Sequence, residues 1–289
     1  MTLTVTRVGA LATIQDLGRP GHASVGVTRG GAADRAALAL GNRLVGNAPG
    51  AAGIEVLLGG IGLRADAPVV LAVTGAPLDV MIDGRRVDPR GALHVPAGQE
   101  LRLGEPQHGV RTYVAVRGGI VAPALYGSVS SSPTLGLGPS PLRVGDLLPI
   151  GDAVAGPTSA GVDDSGATWP LVVPLRVVLG PRDDWFTTDA LATLPHTNWE
   201  VTSDLDRVGI RLAGPPLARA RGGELPSEPL VRGAIQVPPD GQPIIFGPDH
   251  PTTGGYPVIA VIVDADLDRT AQLRPGDRVR FLSSAPSWS

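Results

Sequence analysis

The chain has 289 residues, 43% of them hydrophobic and 18% charged, with a formal net charge of −3 and a pI near 5.9. That is material for two buried cores, and it excludes whole-chain disorder and a basic grip on nucleic acid. There is no cysteine and no lysine: all 24 basic residues are arginine, which excludes disulfides, thiolate nucleophiles, Schiff-base chemistry, a biotinyl-lysine and a P-loop lysine.

Gly 40 and Pro 29 break long helices and suit short strands joined by tight turns. In chain order, runs rich in Val and Ile that stop at Gly, Pro or Asp predict strands over 3–8, 54–58, 69–74, 78–82, 110–116, 171–179, 208–212, 244–246, 256–263 and 278–281. An Ala/Leu-rich helix is predicted over 33–45, with Asp34 in its first turn and a left-handed end at Gly46-Asn47. Shorter helices are expected over 184–194 and 267–273. Residues 127–141, rich in Ser, Gly and Pro, read as a long loop, and residues 151–170 hold a linker. The reading is mainly β: an N-terminal domain over 1–155, a linker over 156–169, a C-terminal domain over 170–284 and a tail over 285–289. The longest apolar runs, near 69–73 and 258–263, fall well short of the ~20 residues of a membrane helix. The first residues lack a basic-then-apolar leader, so a soluble, cytoplasmic protein is expected.

Three short echoes recur in the same order. Asp16-Leu17-Gly18-Arg19-Pro20-Gly21 is answered by Asp204-Leu205-Asp206-Arg207-Val208-Gly209, and Arg29-Gly30-Gly31-Ala32 by Arg232-Gly233-Ala234. Leu142-Arg143-Val144-Gly145-Asp146 is answered by Leu273-Arg274-Pro275-Gly276-Asp277. The order predicts one architecture built twice. In this register Arg19 and Arg207 are spaced to pair with Asp16 and Asp204, locking a turn, or to grip a substrate carboxylate with a guanidinium fork. Gln15, which faces Ser203, and Asp34 are unmatched polar residues beside Gly-rich turns. Asp34 reads as a helix cap or as a site residue.

The densest chemistry lies between Glu228 and Tyr256. Gln236 opens a strand-then-turn segment. Asp249 and His250 then precede Thr252, Thr253, Gly254, Gly255 and Tyr256. Hydroxyls and backbone amides there suit an oxyanion, with Asp249 or His250 moving a proton. The five His show no metal-ligand spacing, so no metal is expected, and neither a G-x-S-x-G elbow nor a dinucleotide loop is present.

Six ordered segments carry a family resemblance: Thr13-Ile14-Gln15-Asp16-Leu17-Gly18-Arg19, Gly31-Ala32-Ala33-Asp34, Leu44-Val45-Gly46-Asn47, Arg117-Gly118-Gly119-Ile120, Gly233-Ala234-Ile235-Gln236-Val237-Pro238 and Thr253-Gly254-Gly255-Tyr256-Pro257. Over nearly its whole length the chain resembles the family of the C component of bacterial 5-oxoprolinase, also called the biotin-dependent carboxyltransferase, allophanate hydrolase subunit 2 or Kip antagonist family. It departs from the family pattern at Tyr126-Gly127-Ser128-Val129-Ser130-Ser131 and at Asp249-His250-Pro251. The resemblance implies two cyclophilin-like β-barrel domains and work as one subunit, inactive alone, of an ATP-hydrolysing amidohydrolase complex. Its partners would be the B component of 5-oxoprolinase (Kip inhibitor-like) and the A component, and its substrate a small lactam or amide, 5-oxoproline being opened to glutamate. ATP enters at the level of the complex, with another subunit open as its holder. Under this reading Arg19 or Arg207 takes the substrate carboxylate, the loop from Thr252 to Gly255 steadies the activated amide, and Asp16, Asp34, Asp249 or His250 moves the proton. Gln15, Glu228, Gln236 and Tyr256 complete the binding set. Two alternatives stay open: the carboxyltransferase component of a biotin-dependent, urea carboxylase-like enzyme, with biotin carried on another protein, and a non-catalytic regulatory subunit of Kip-antagonist type.

Overall fold

The computed structural model describes residues 1–159, 161, 169–223 and 225–284; most of the expected linker and the tail over 285–289 lie outside them. The chain divides into two compact units, Met1–Pro20 with Arg29–Trp169, and Gly21–Thr28 with Pro170–Ser289. Among the described residues no helix is long and apolar enough to cross a membrane.

The first unit contains strands β1 (Thr2–Arg7), β2 (Leu11–Gln15), β3 (Gly53–Leu57), β4 (Gly62–Ala65), β5 (Val69–Gly75), β6 (Val80–Ile82), β7 (Arg85–Val87), β8 (Leu93–Val95), β9 (Glu100–Leu103), β10 (Arg111–Val116) and β11 (Leu147–Pro149), with helix α1 (Arg35–Leu44) between β2 and β3. One sheet runs β11-β1-β4-β9-β6-β7 and a second β2-β3-β10-β5-β8. Leu3, Val5, Leu63 and Leu101 from the first and Ile14, Ile54, Leu71 and Val114 from the second share one apolar core. Strand β10 is buried on both faces: Val114 and Val116 enter that core, while Tyr113 and Ala115 meet α1. This is why the second half of β10, from Tyr113 to Val116, reads as a continuous apolar run rather than an alternating one.

Helix α1 forms where the sequence places it. Asp34 caps it by accepting from the Ala37 amide at 2.8 Å, and Gly46 follows in the left-handed region at φ 76°. Gly41 lets the helix lie close on the sheet, because a Cβ there would come within 3.0 Å of Thr74 Oγ1.

The second unit contains β12 (Val172–Leu179), α2 (Thr188–His196), β13 (Asn198–Leu205), β14 (Gly209–Ala213), β15 (Glu228–Pro229), β16 (Ala234–Gln236), β17 (Ile244–Phe246), β18 (Thr253–Gly254), β19 (Val258–Ile262), α3 (Leu267–Thr270) and β20 (Arg278–Ser283). Its strands close a barrel in the order β12-β19-β16-β17-β14-β13-β20, sealed by parallel pairing of β12 with β20. Burial alternates along the strands: Val173, Leu175 and Val177 are buried on β12, Val279 and Phe281 on β20. Trp199, wholly buried on β13, donates its indole N–H to Leu194 O at 3.1 Å and so ties α2 to the barrel. The short ribbon β15–β18 stands apart from the barrel strands.

The two units repeat one device. Val5 and Val201 each donate their N–H to the carbonyl of an aspartate, Asp146 and Asp277, and each accepts from the preceding glycine, Gly145 and Gly276. Each valine also precedes a register slip against the next strand, β1 on β4 and β13 on β14. The last of the three echoes is thus a structural equivalence, with Asp146 and Asp277 folding back onto the amides of Arg143 and Arg274.

The first echo is not an equivalence. Asp16 follows β2, whereas Asp204 lies within β13, at the register slip. The two expected turn-locking ion pairs are accordingly corrected. Asp204 pairs with Arg211 at 2.6 Å, Arg207 pairs with Asp249, and Asp16 is held by amides and hydroxyls rather than by Arg19. Several strands were not anticipated from sequence, among them β2, β4, β8, β9 and β13.

Candidate functional site

In the second unit, Asp249 and Arg207 form a buried cross-link. Arg207 Nε and Nη2 donate to the two carboxylate oxygens at 2.9 and 3.0 Å, and the Asp249 amide returns a bond to Arg207 O at 3.0 Å. The side chains are 7% and 0% exposed. A fork on both oxygens, away from water, fixes the Asp249 side chain in position and commits it to the ion pair.

His250 is different. Its Nδ1 lies 2.7 Å from Pro251 O, and because a carbonyl only accepts, Nδ1 carries the hydrogen and Nε2 keeps its lone pair. Burial holds the imidazole below its ordinary pKa, assisted by the Arg232 charge and opposed by the Pro251 bond and by Asp249. The ring is therefore neutral near pH 7, with its basic nitrogen fixed in direction, packed 6.4 Å from the Phe246 ring. That is the arrangement a general base requires.

The neighbouring loop is a braced platform. Thr253 and Gly254 pair with Pro229 and Glu228, and Thr252 O accepts from Leu230 N at 2.9 Å. Arg182 Nε reaches both Glu228 oxygens at 2.9 and 3.0 Å, which fixes Glu228 as an ion-pair partner. Gln236, buried on β16, donates to Tyr256 O at 2.8 Å. A Cβ at Gly254 would lie 2.7 Å from both Gln236 Nε2 and Leu230 Cδ1, so any larger residue there would displace the ends of those two side chains. Thr253 and Tyr256 remain exposed. Glu228, Gln236, Thr252, Thr253, Gly254, Gly255 and Tyr256 thus form one assembly, with Asp249 and His250 leading into it.

In the first unit, Gln15, Asp16 and Arg19 are gathered against the serine-rich loop. The Asp16 carboxylate accepts from Gly18 N at 2.7 Å, Val129 N at 2.9 Å, Ser128 Oγ at 2.6 Å and Ser130 Oγ at 2.5 Å. Arg19, 1% exposed, donates to the carbonyls of Ser130 and Leu125. Gln15 Nε2 donates to Ser131 O at 2.8 Å and Thr13 Oγ1 at 3.1 Å. Gln15 Oε1, Ser131 Oγ and Ser132 Oγ are buried without a hydrogen-bond partner among the described residues. Unpaired buried oxygens of this kind cost roughly 1–3 kcal/mol each.

Asp34 stands in a separate network of the same unit. Its amide donates to Tyr113 OH at 2.8 Å, Tyr113 donates to Glu55 Oε2 at 2.6 Å, and Glu55 also faces Arg111 at 3.4 Å. Burial, followed by the charges of Glu55 and Asp34, pushes the Tyr113 hydroxyl well above its ordinary pKa and keeps it a donor. Ser128, Ser130, Glu55, Tyr113 and Arg182 were not among the sequence candidates. The serine run was visible in the sequence, but its partner Asp16 lies more than a hundred residues away. Among the described residues no group of three or more His, Asp or Glu side chains is gathered as a metal cage.

Comparison with known proteins adds a lineage to this geometry. The family model for the carboxyltransferase domain, subdomains A and B, matches residues 25–283. The C component of 5-oxoprolinase from Escherichia coli is 37% identical over 284 residues, covering 97% of this chain and 90% of that protein. The crystal structure of K. lactis urea amidolyase superposes with a TM-score of 0.91 at 27% identity, covering 98% of this chain and 19% of that one. The crystal structure of TTHA0988 superposes with a TM-score of 0.88 at 33% identity, covering 98% of this chain and 55% of that one.

Proposed function

Since the chain belongs to the carboxyltransferase-domain family that includes the C component of 5-oxoprolinase, we propose that it is one subunit of an ATP-dependent 5-oxoprolinase, opening the 5-oxoproline lactam to glutamate together with the B and A components of the enzyme. The observation that carries this reading is collinearity: this chain and the E. coli protein match over 97% and 90% of their lengths. Opening a lactam breaks its C–N bond, forms a C–O bond from water and leaves a proton on the amine. His250 Nε2 is the group here able to take the proton from the attacking water and return it to the leaving nitrogen. The hydroxyls of Thr252 and Thr253 would then serve as donors to the developing oxyanion, on a loop braced by the ion-paired Glu228 and the buried Gln236. ATP would supply activation of the amide oxygen, and we place its site on another component of the complex. Its terminal phosphoryl group would pass to that oxygen with release of ADP and leave as inorganic phosphate when water opens the ring. Co-purified with the A and B components, the chain should support ATP-dependent release of glutamate from 5-oxoproline. A complete three-component complex that releases none would remove the proposal.

A second reading has its own support in the fit to the urea amidolyase fold. The chain would then be the carboxyltransferase component of a biotin-dependent, urea carboxylase-like enzyme. It has no lysine to carry biotin, so the group would arrive on another protein. Inhibition of the complex by avidin would select this reading; activity insensitive to avidin would select the first.

A further inference from the structure

A pocket of about 310 Å³ opens in the second unit between the 216–222 segment and the 239–241 turn, with Arg219, Arg221 and Asp240 as its charged lining. The volume suits a small metabolite rather than a cofactor. Arg219 is held from several directions. Its backbone bridges Phe186, the next amide, Ala220 N, donates to Trp185 O at 2.8 Å, and Nη2 donates to Val237 O at 2.7 Å. Its Cζ sits 5.8 Å from the centre of the Tyr256 ring. Its Nε is buried and makes no hydrogen bond among the described residues. The guanidinium of a pocket-lining arginine thus keeps unused donor capacity, which an acceptor in the pocket would reach after a small shift of the side chain.

Arg221 adds a second guanidinium. Its partner is Asp184 at 2.8 Å, with the two side chains 58% and 47% exposed. A surface pair of that kind contributes roughly 0–1 kcal/mol and is readily exchanged for a better-placed anion. Asp240 opposes this charge, but its Oδ1 already accepts from Gln242 N at 3.0 Å. Gly222 on the rim meets no atom within 4 Å of where a Cβ would stand, so the pocket mouth is clear.

We propose that this pocket is an oxyanion site in which Arg219, backed by Arg221, binds the carboxylate or phosphate group of a small metabolite. The inference does not rest on the lactam-opening reading, because binding is measured on this chain alone.

The test is calorimetric titration of the full chain with inorganic phosphate, 5-oxoproline and the neutral lactam 2-pyrrolidinone, at low and at high salt. Saturable binding of phosphate assigns a phosphoryl group, and binding of 5-oxoproline but not 2-pyrrolidinone assigns a carboxylate. In either case Arg219→Gln should weaken binding at least ~10-fold and high salt should weaken it further. Arg221→Gln, at an exposed position, should weaken it by a smaller factor and covers the case in which Arg219→Gln fails to fold. No saturable binding of either anion overturns the site, whatever the complex does with ATP. So does equal affinity for 2-pyrrolidinone, or binding unmoved by the folded variants.

Discussion

The serine loop of the first unit and the His250 loop of the second use similar residues to opposite ends. Asp16 is saturated: two amides and two hydroxyls converge on one carboxylate, and its neighbour Arg19 is buried on backbone carbonyls. His250 is left half-filled: one ring nitrogen is tied to Pro251 O, and the other is free of partners among the described residues. Asp249 beside it is committed differently from Asp16, with one guanidinium gripping both oxygens in place of four separate donors. Charge and burial do not by themselves make a reactive group. What separates Asp16 from His250 is whether the surrounding groups leave one atom of the side chain without a hydrogen-bond partner among the described residues.

The contrast can be broken in order of expected effect. Asp249→Ala removes the bidentate partner of the buried Arg207 charge and should cost about 3–5 kcal/mol of stability, measured by denaturant titration of the chain. A loss of turnover with undiminished stability would instead make Asp249 a proton carrier. His250→Gln keeps the volume but removes the base, and should lower glutamate release by the complex at least ~10²-fold while the chain melts nearly as before. Unchanged turnover would return the loop to a structural role. Asp16→Ala should act the other way, costing about 2–3 kcal/mol as Ser128, Ser130 and two amides lose their common acceptor.

The smallest effect is a pH dependence. His250 has a folded pKa below the unfolded value of about 6.5, so the unfolded chain binds the proton more readily. Its contribution to stability is complete above that value and declines as pH falls through the lowered folded pKa. The difference in stability between the wild type and His250→Gln should therefore shift over that acid window and stay flat above pH 7. A shift on the alkaline side would mean that the imidazole is charged in the folded chain.

Much of the fold was legible because it is local. Asp34 and Gly46 bracket α1 as cap and left-handed exit, and runs such as 172–179 carry their strand signal in β-branched residues with alternating burial. The turns at Arg143–Asp146 and Arg274–Asp277 could be matched by eye because four adjacent residues define them. The short strands β4, β8 and β9 escaped notice, since three or four residues give too little periodicity against a glycine-rich background. The first echo misled for a related reason: a shared Asp-x-x-Arg spacing says nothing about where the strand register places it.

The sequence by itself determined that this would be a mainly β, cysteine- and lysine-free protein with a related turn closing each half, and that the stretch from Glu228 to Tyr256 was rich in reactive side chains. These follow from composition, spacing and residue type, which act over a few positions. Only the tertiary structure decided that Arg207 belongs to Asp249, that Asp16 belongs to Ser128 and Ser130, and that Arg219 stands over Tyr256 beside an open pocket. Those pairings join residues some 37 to 114 positions apart, and the energy that selects them comes from excluding water around groups that meet only when each unit folds.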